Sequence, residues 1–371
     1  MVTYRLALAS LSSSGLGTEI VADVLDAGFP YKADQVIRWS RMLNGAGSLE
    51  FTLDMEGPGV TPDVYAPGKR ELHLYRDDGG GEILVWGGRL WVADVDHDWV
   101  RFMGLGWYET LRHREMAEDF YKVDTEQLDI AWQLIDYTQT QTGGNLGITR
   151  GAAADSGITR TVLYCAEERQ NIAQAIEDLG TADQGFDFEV TPAKVWKVWH
   201  PLKGEELSAS VVLDTSTNVQ ELRYTIDATV VANEVAGIGD RKDCEPVHYA
   251  SVKNVGSRDD YGLLQATISR SDIKEDGPLI NDLARKYLDL HKVARKAPVV
   301  GYPTILEGPS PLTGEFALGD VINLQASKGY ATFDDAFRVM GYTVTATQNG
   351  EERVDLNLDA SDVDVPEATS S

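Results

Sequence analysis

The stretch Ile37-Arg-Trp-Ser-Arg-Met-Leu-Asn-Gly-Ala-Gly-Ser-Leu-Glu-Phe-Thr-Leu53 decides the fold class. Its first half, residues 36–43, reads as a strand. Asn44-Gly45-Ala46-Gly47 follows as a turn, with glycine expected to supply the left-handed backbone. Leu49, Phe51 and Leu53 then alternate with Glu50 and Thr52, the period-two mark of a half-buried strand. Working outward, Glu71-Leu-His-Leu-Tyr75 repeats the alternation and Asp77 to Gly81 forms a loop. Ile83-Leu-Val-Trp86 resumes the sheet, and Gly87-Gly88 is expected to be a bulge where it bends. Leu90 to Val95 and Trp99 to Met103 flank an Asp96-His97-Asp98 turn. Short strands with regular turns make residues 1–112 a β-rich block, barrel or sandwich.

Residues 113–204 change character. A helix is expected from Asp124 to about Thr138, capped by Asp124 or Thr125, with Leu128, Ala131, Trp132 and Ile135 on one face. A second helix runs from about Arg169 to Leu179 and ends at Gly180. Phe186-Asp-Phe-Glu-Val190 and Val195-Trp-Lys-Val-Trp199 flank Thr191-Pro-Ala-Lys194 as a hairpin. This block reads as an α+β insertion. Residues 205–360 return to strands at 219–226, 230–238, 263–268, 321–324, 337–345 and 354–358. One long helix, from about Leu279 to Lys296, interrupts them. Leu283, Tyr287 and Leu290 form its apolar set, Lys292, Arg295 and Lys296 sit in its last turns, and Pro298 stops it. The acidic, apolar-poor residues 361–371 are expected to be disordered.

The 371 residues carry 33 Lys and Arg against 59 Asp and Glu, a net charge of −26. That balance argues against nucleic-acid binding, which needs clustered cations. A hydrophobic fraction of 43% fits a folded globular protein. No apolar run is long enough for a membrane helix, and the start is a poor secretory signal. Cys165 and Cys244 cannot make a disulfide framework.

The chemistry-bearing residues are scattered. His73, His97, His113, His200, His248 and His291 never fall within five residues of one another, so short-range metal motifs are absent. Asp94, Asp96 and Asp98 open like a calcium loop, but Trp99 stands where that loop needs Gly and Leu105 where it needs Glu. Gly104-Leu-Gly106 and Gly15-Leu-Gly17 do not continue as phosphate cradles. No GxSxG elbow is present. Cys165 reads as a buried apolar residue and Cys244 as an exposed one. Among so many acids no glycosidase pair stands out. The eight Trp residues, at 39, 86, 91, 99, 107, 132, 196 and 199, read as packing residues, with sugar stacking as the alternative. No catalytic, cofactor-binding or metal residue is assigned.

One resemblance rests on the order of short motifs. After the opening stretch come Tyr65-Ala-Pro-Gly68, Glu71-Leu-His-Leu-Tyr-Arg76 and Leu84-Val-Trp-Gly-Gly-Arg-Leu-Trp91. Then follow Gln127-Leu-Asp-Ile130, Gly144-Asn-Leu-Gly147, Gln170-Asn-Ile-Ala173, Gly185-Phe-Asp-Phe-Glu189 and Tyr261-Gly-Leu-Leu264. Over most of residues 20–358 the chain resembles hub-type minor tail proteins of siphophages infecting actinobacteria. The long C-terminal extension some tail-tip proteins use for receptors or hydrolysis is not seen here. The resemblance implies two tail-tube-like β-barrels, in 1–112 and 205–360, around the α+β insertion. It implies a homotrimeric, non-enzymatic ring at the virion tail tip, assembled in the host cytoplasm. Its expected partners are the distal tail protein, the C-terminus of the tape measure protein and other minor tail proteins. DNA passes through as cargo, and neither cofactor nor membrane insertion is implied. The rival expectations are a glycan-binding module and a cell-wall hydrolase.

Overall fold

A computed structural model of the chain describes residues 2–25, 36–152, 155–182, 184–239, 249–270, 277–302, 310–329, 331–347 and 350–360. His248, Cys244 and the acidic end at 361–371 lie outside the described residues. The chain is mainly β. Its first block holds β1 (Thr3–Ser10), β2 (Glu19–Val21), β3 (Val36–Met42), β4 (Ser48–Asp54), β5 (Arg70–Asp77), β6 (Ile83–Val95) and β7 (Trp99–Gly106). A short 3-10 turn, Trp107–His113, leads into β8 (Phe120–Glu126), α1 (Gln127–Thr140), β9 (Thr149–Arg150), β10 (Thr159–Tyr164), α2 (Ile172–Thr181), β11 (Asp187–Val190) and β12 (Val195–Trp199). The remainder contains β13 (Val212–Asp214), β14 (Glu221–Asp227), β15 (Glu234–Gly239), β16 (Tyr249–Lys253), α3 (Val255–Tyr261), β17 (Gln265–Arg270), α4 (Gly277–His291), β18 (Arg295–Tyr302), β19 (Val321–Lys328), β20 (Ala331–Thr347) and β21 (Glu352–Ala360).

The first and last blocks share one sheet of 13 strands, ordered β14-β18-β21-β20-β3-β4-β7-β6-β5-β1-β2, with β13 and β19 branching from it. The joint is β20 against β3, antiparallel from Gly341↔Met42 to Thr347↔Val36. The other half of the same edge of β20, from Ala331 to Arg338, pairs with β19. The sheet therefore forks near Met340, where the β20–β21 register also shifts. Among the described residues the main path ends at β14 and β2 and does not close into the expected barrels. One core serves both blocks: Trp39, Phe51, Leu72 and Trp86 share it with Leu213, Val300, Phe337 and Leu356. Trp39 meets Tyr342 edge-on, with ring centroids 5.8 Å apart. Charge crosses the same joint, since Glu352 accepts from Arg76 at 2.8 and 3.0 Å and from Tyr4.

Residues 108–196 build a second core from α1, α2 and the β11–β12 hairpin, centred on Ile130, Leu134, Ile176, Phe188 and Trp196. A separate three-stranded sheet, β16-β15-β17, packs one face on α4 through Val235, Ala284 and Leu288.

Several local expectations change. Glu126, not Asp124 or Thr125, caps α1, its carboxylate accepting from Asp129 N. Asn171 caps α2, and Gly180 lies inside that helix. Helix α4 stops at His291, and Arg295, Lys296 and Pro298 belong to strand β18. Pro298 is tolerated because the β18–β21 ladder begins only at Val299↔Asn357. Gly87 and Gly88 lie within the regular part of β6, whose register shifts fall instead beside Leu84 and between Leu90 and Val92. A Cβ on Gly87 would come within 2.4 Å of Pro192 O, so this glycine admits the insertion hairpin to the sheet.

Candidate functional site

The insertion meets the large sheet through buried ions. Strand β11 alternates, so Phe188 faces the insertion core while Asp187 and Glu189 point at the sheet. All three are buried. Asp187 accepts from Arg338, from Lys203 N at 2.8 Å and from Asn44 Nδ2 at 2.7 Å. Glu189 accepts from Arg41 and from Lys203 Nζ at 3.2 Å. Burial alone would raise the Glu189 carboxyl, but Arg41 and Lys203 outweigh it and hold it below the ordinary carboxylate range. Burial drives the Lys203 ammonium below its ordinary value, with Glu189 opposing.

A second cluster lies under the Ser12–Gly17 loop. Lys194 Nζ donates to Glu71 Oε1 at 2.7 Å, Gly15 O at 2.9 Å and Ser12 O at 3.2 Å. It also sits 4.4 Å from the centre of the Trp107 ring. Glu71 takes the backbone N–H groups of Ser12 and Gly17, and its other contact is His73 Nε2 at 3.1 Å. Glu71, His73 and Lys194 are each 1% exposed, so these bonds are made without competing solvent. Burial opposes ionisation of Glu71, yet the bonds from His73 and Lys194 win and lower it. Lys194 is lowered by burial against the pull of Glu71.

The Asn44 turn fastens the same seam. Asn44 Oδ1 accepts from Phe188 N at 2.7 Å, and its own N–H donates to Phe188 O at 3.0 Å. The left-handed residue here is Asn44, with φ 58°, rather than either glycine. Such a seam contributes orientation more than net stability, because desolvation offsets much of the attraction between buried ions. Its donors and acceptors are spent on one another, so the arrangement holds parts together.

The residues weighed from sequence are spread apart. His97 is on an exposed turn, His113 stacks on Trp91 with centroids 4.8 Å apart, and His291 stacks on Tyr287 at 4.0 Å. Asp94, Asp96 and Asp98 are exposed, and Asp94 faces Arg101 at 3.9 Å. Among the described residues no group of three or more His, Cys, Asp or Glu is placed to hold a metal. Cys165 is half-buried rather than buried. Trp39, Trp86, Trp107 and Trp196 are buried, and Trp91, Trp99, Trp132 and Trp199 half-buried, so none forms an exposed platform for a sugar. Sequence reasoning missed Glu71, His73, Asp187, Glu189 and Lys194 as a set. Each sits on the polar side of an alternating strand or in a turn, a pattern identical to that of a solvated face.

No protein-family model matches the sequence, and neither does any curated protein. Solved structures do match. The tail protein from Neisseria meningitidis MC58 is 13% identical, with a TM-score of 0.59 over 96% of this chain and 97% of its own. The 43 kDa tail protein of prophage MuSo2 from Shewanella oneidensis is 12% identical, with 0.59 over 96% and 98%. Prophage tail protein gp18 from Listeria monocytogenes EGD-e is 12% identical, with 0.55 over 96% and 94%. At these identities the likeness is one of fold, shared with these three tail proteins.

Proposed function

We propose that the chain is a structural, non-enzymatic component of a phage tail, placed as a hub at its tip. The observation that carries this reading is end-to-end similarity to three tail proteins, covering 96% of this chain in each comparison. In this reading residues 1–112 and 205–360 supply tube-like parts, and residues 113–204 an insertion held by the charged seam. Three copies then close a ring that joins the distal tail protein to other minor tail proteins. The tape measure C-terminus abuts it, and DNA passes through. A net charge of −26 suits a channel that must release DNA, since a negative wall repels phosphate.

Light scattering across a range of concentrations tests the assembly. The expected mass is three times the 40.7 kDa of one chain, alone or with the adjoining tail protein. A monomer under both conditions overturns the ring. A peptidoglycan zymogram is expected to show no clearing, and a clear zone overturns the non-enzymatic role. The rival reading, a glycan-binding module using exposed Trp and Tyr, finds no exposed Trp among the eight, while Tyr121 and Tyr261 are exposed.

A further inference from the structure

The residue that fastens the seam at the turn is also chemically labile. Asn44 is followed by Gly45. In an Asn–Gly pair the backbone nitrogen of the glycine attacks the preceding side-chain amide with little hindrance, because no Cβ stands beside it. Gly45 N–H has no acceptor among the described residues, so this nucleophile is not engaged elsewhere. Asn44 and Gly45 are half-buried. Gly45 also lines a cavity of about 30 Å³ with Trp86, Trp107 and Glu189, room enough for a water molecule.

The electrophile is held away from that nucleophile. Both ends of the Asn44 carboxamide are tied to β11: Phe188 N donates to Oδ1 at 2.7 Å, and Nδ2 donates to Asp187 Oδ1 at 2.7 Å. The backbone N–H of Asn44 adds a third bond, to Phe188 O at 3.0 Å. Asp187 is fixed in turn, since its Oδ2 accepts from Arg338 and from Lys203 N at 2.8 Å. To react, Asn44 Cγ must swing over Gly45 N and give up both side-chain bonds. Docking of the insertion therefore sets how often the reactive geometry is reached.

We propose that Asn44 is a self-modification site guarded by the insertion: when the insertion lifts from the sheet, Gly45 N attacks Asn44 Cγ, and the product keeps the seam open. The bond from Gly45 N to Cγ forms and the Cγ–Nδ2 bond breaks. The amide nitrogen leaves as ammonia, taking the proton of Gly45 N. Water then opens the five-membered imide, at one carbonyl to give aspartate and at the other to give isoaspartate. In the aspartate, a carboxylate oxygen replaces Nδ2 beside Asp187 Oδ1. The cations of the seam are engaged elsewhere: Arg338 and Lys203 N hold the other oxygen of Asp187, while Arg41 and Lys203 Nζ hold Glu189. Two carboxylates at hydrogen-bonding distance do not both stay ionised, so at neutral pH they separate or trap a proton. The isoaspartate also adds a main-chain carbon to the turn. This chemistry depends on the seam and not on the tail reading.

Peptide mapping by mass spectrometry, on the full chain incubated at mildly alkaline pH, reads the conversion of Asn44 from amide to acid. The rate in the folded chain is expected to be about 10²-fold below that of the same chain unfolded in guanidinium chloride, the cost of holding reacting atoms out of line. Equal rates overturn the proposal, and this comparison needs no variant. Asp187→Ala, which frees Nδ2, is expected to raise the folded-state rate by about tenfold or more, and an unchanged rate in a chain whose melt shows it folded overturns the guarding role. Gly45→Ala is expected to suppress conversion folded and unfolded alike. Its Cβ has room, with Leu43 O and Met42 Cβ 3.9 Å away, so the fold is kept. Undiminished conversion in that variant overturns the attack by Gly45 N. Asn44→Asp reproduces one product and is expected to speed amide exchange in β11 and β12 at neutral pH. Exchange identical to that of the parent chain overturns the opening of the seam.

Discussion

Asn44 and Gly47 divide between them what the diagnostic turn needs. Asn44 takes the left-handed backbone and reaches across to β11, while Gly47 serves close approach, since a Cβ there would fall 1.9 Å from Ser40 O. Gly47→Ala is therefore expected to cost about 1–3 kcal/mol or more from forced backbone shifts. A urea titration measures it, and an unchanged midpoint refutes the crowding. Lys194 makes a different kind of demand. Lys194→Met leaves Glu71 as a buried carboxylate without its cation, with an expected loss of about 3–5 kcal/mol. Adding Glu71→Gln removes the unpaired charge, so the double variant is expected to lose less than the two single variants summed. Additivity in that cycle would mean the pair is not coupled.

At the scale of the element, β11 shows why an alternating strand is ambiguous. Its polar face turns toward Arg41, Lys203 and Arg338 instead of water. Glu189 and Glu71 ionise more readily folded than unfolded, their ordinary value being 4.5. Their stabilisation is complete above that value and is lost as pH falls through the depressed folded values. The urea midpoint is expected to be flat toward neutral pH and to drop below about 4.5. Glu189→Gln is expected to flatten part of that acid limb, and an unaltered limb would place the pH dependence elsewhere. Helix α4 teaches a complementary lesson. Its apolar spacing is legible, but which half of the stripe finds a partner depends on where Ala182 lies.

Across the whole molecule, the β20–β3 ladder makes one core from segments far apart in the chain. Trp39 sits at that joint, fully buried against Tyr342. Trp39→Ala is expected to cost about 3–5 kcal/mol. It is also expected to lower amide protection in β4 and in β21 together, because both depend on the same core. Hydrogen exchange that weakens only the first block would show that the two parts unfold independently.

Much of the strand character, helices α1 and α2, the β11–β12 hairpin and the turn at Asn44 were decided by local sequence. Periodicity and turn chemistry act over a few residues, so a reader of the chain can see them. Strand β1 escaped this reading, since both of its faces are buried and Leu6 to Ala9 show no alternation. Three matters waited for the tertiary structure: the fusion of two β-rich blocks into one sheet, the burial of Glu71 and Glu189, and the exposure of Leu290. Each depends on a contact between residues more than 100 positions apart, as in Lys194 with Glu71 or Leu283 with Ala182. A polar strand face looks the same in sequence whether water or a buried cation will meet it.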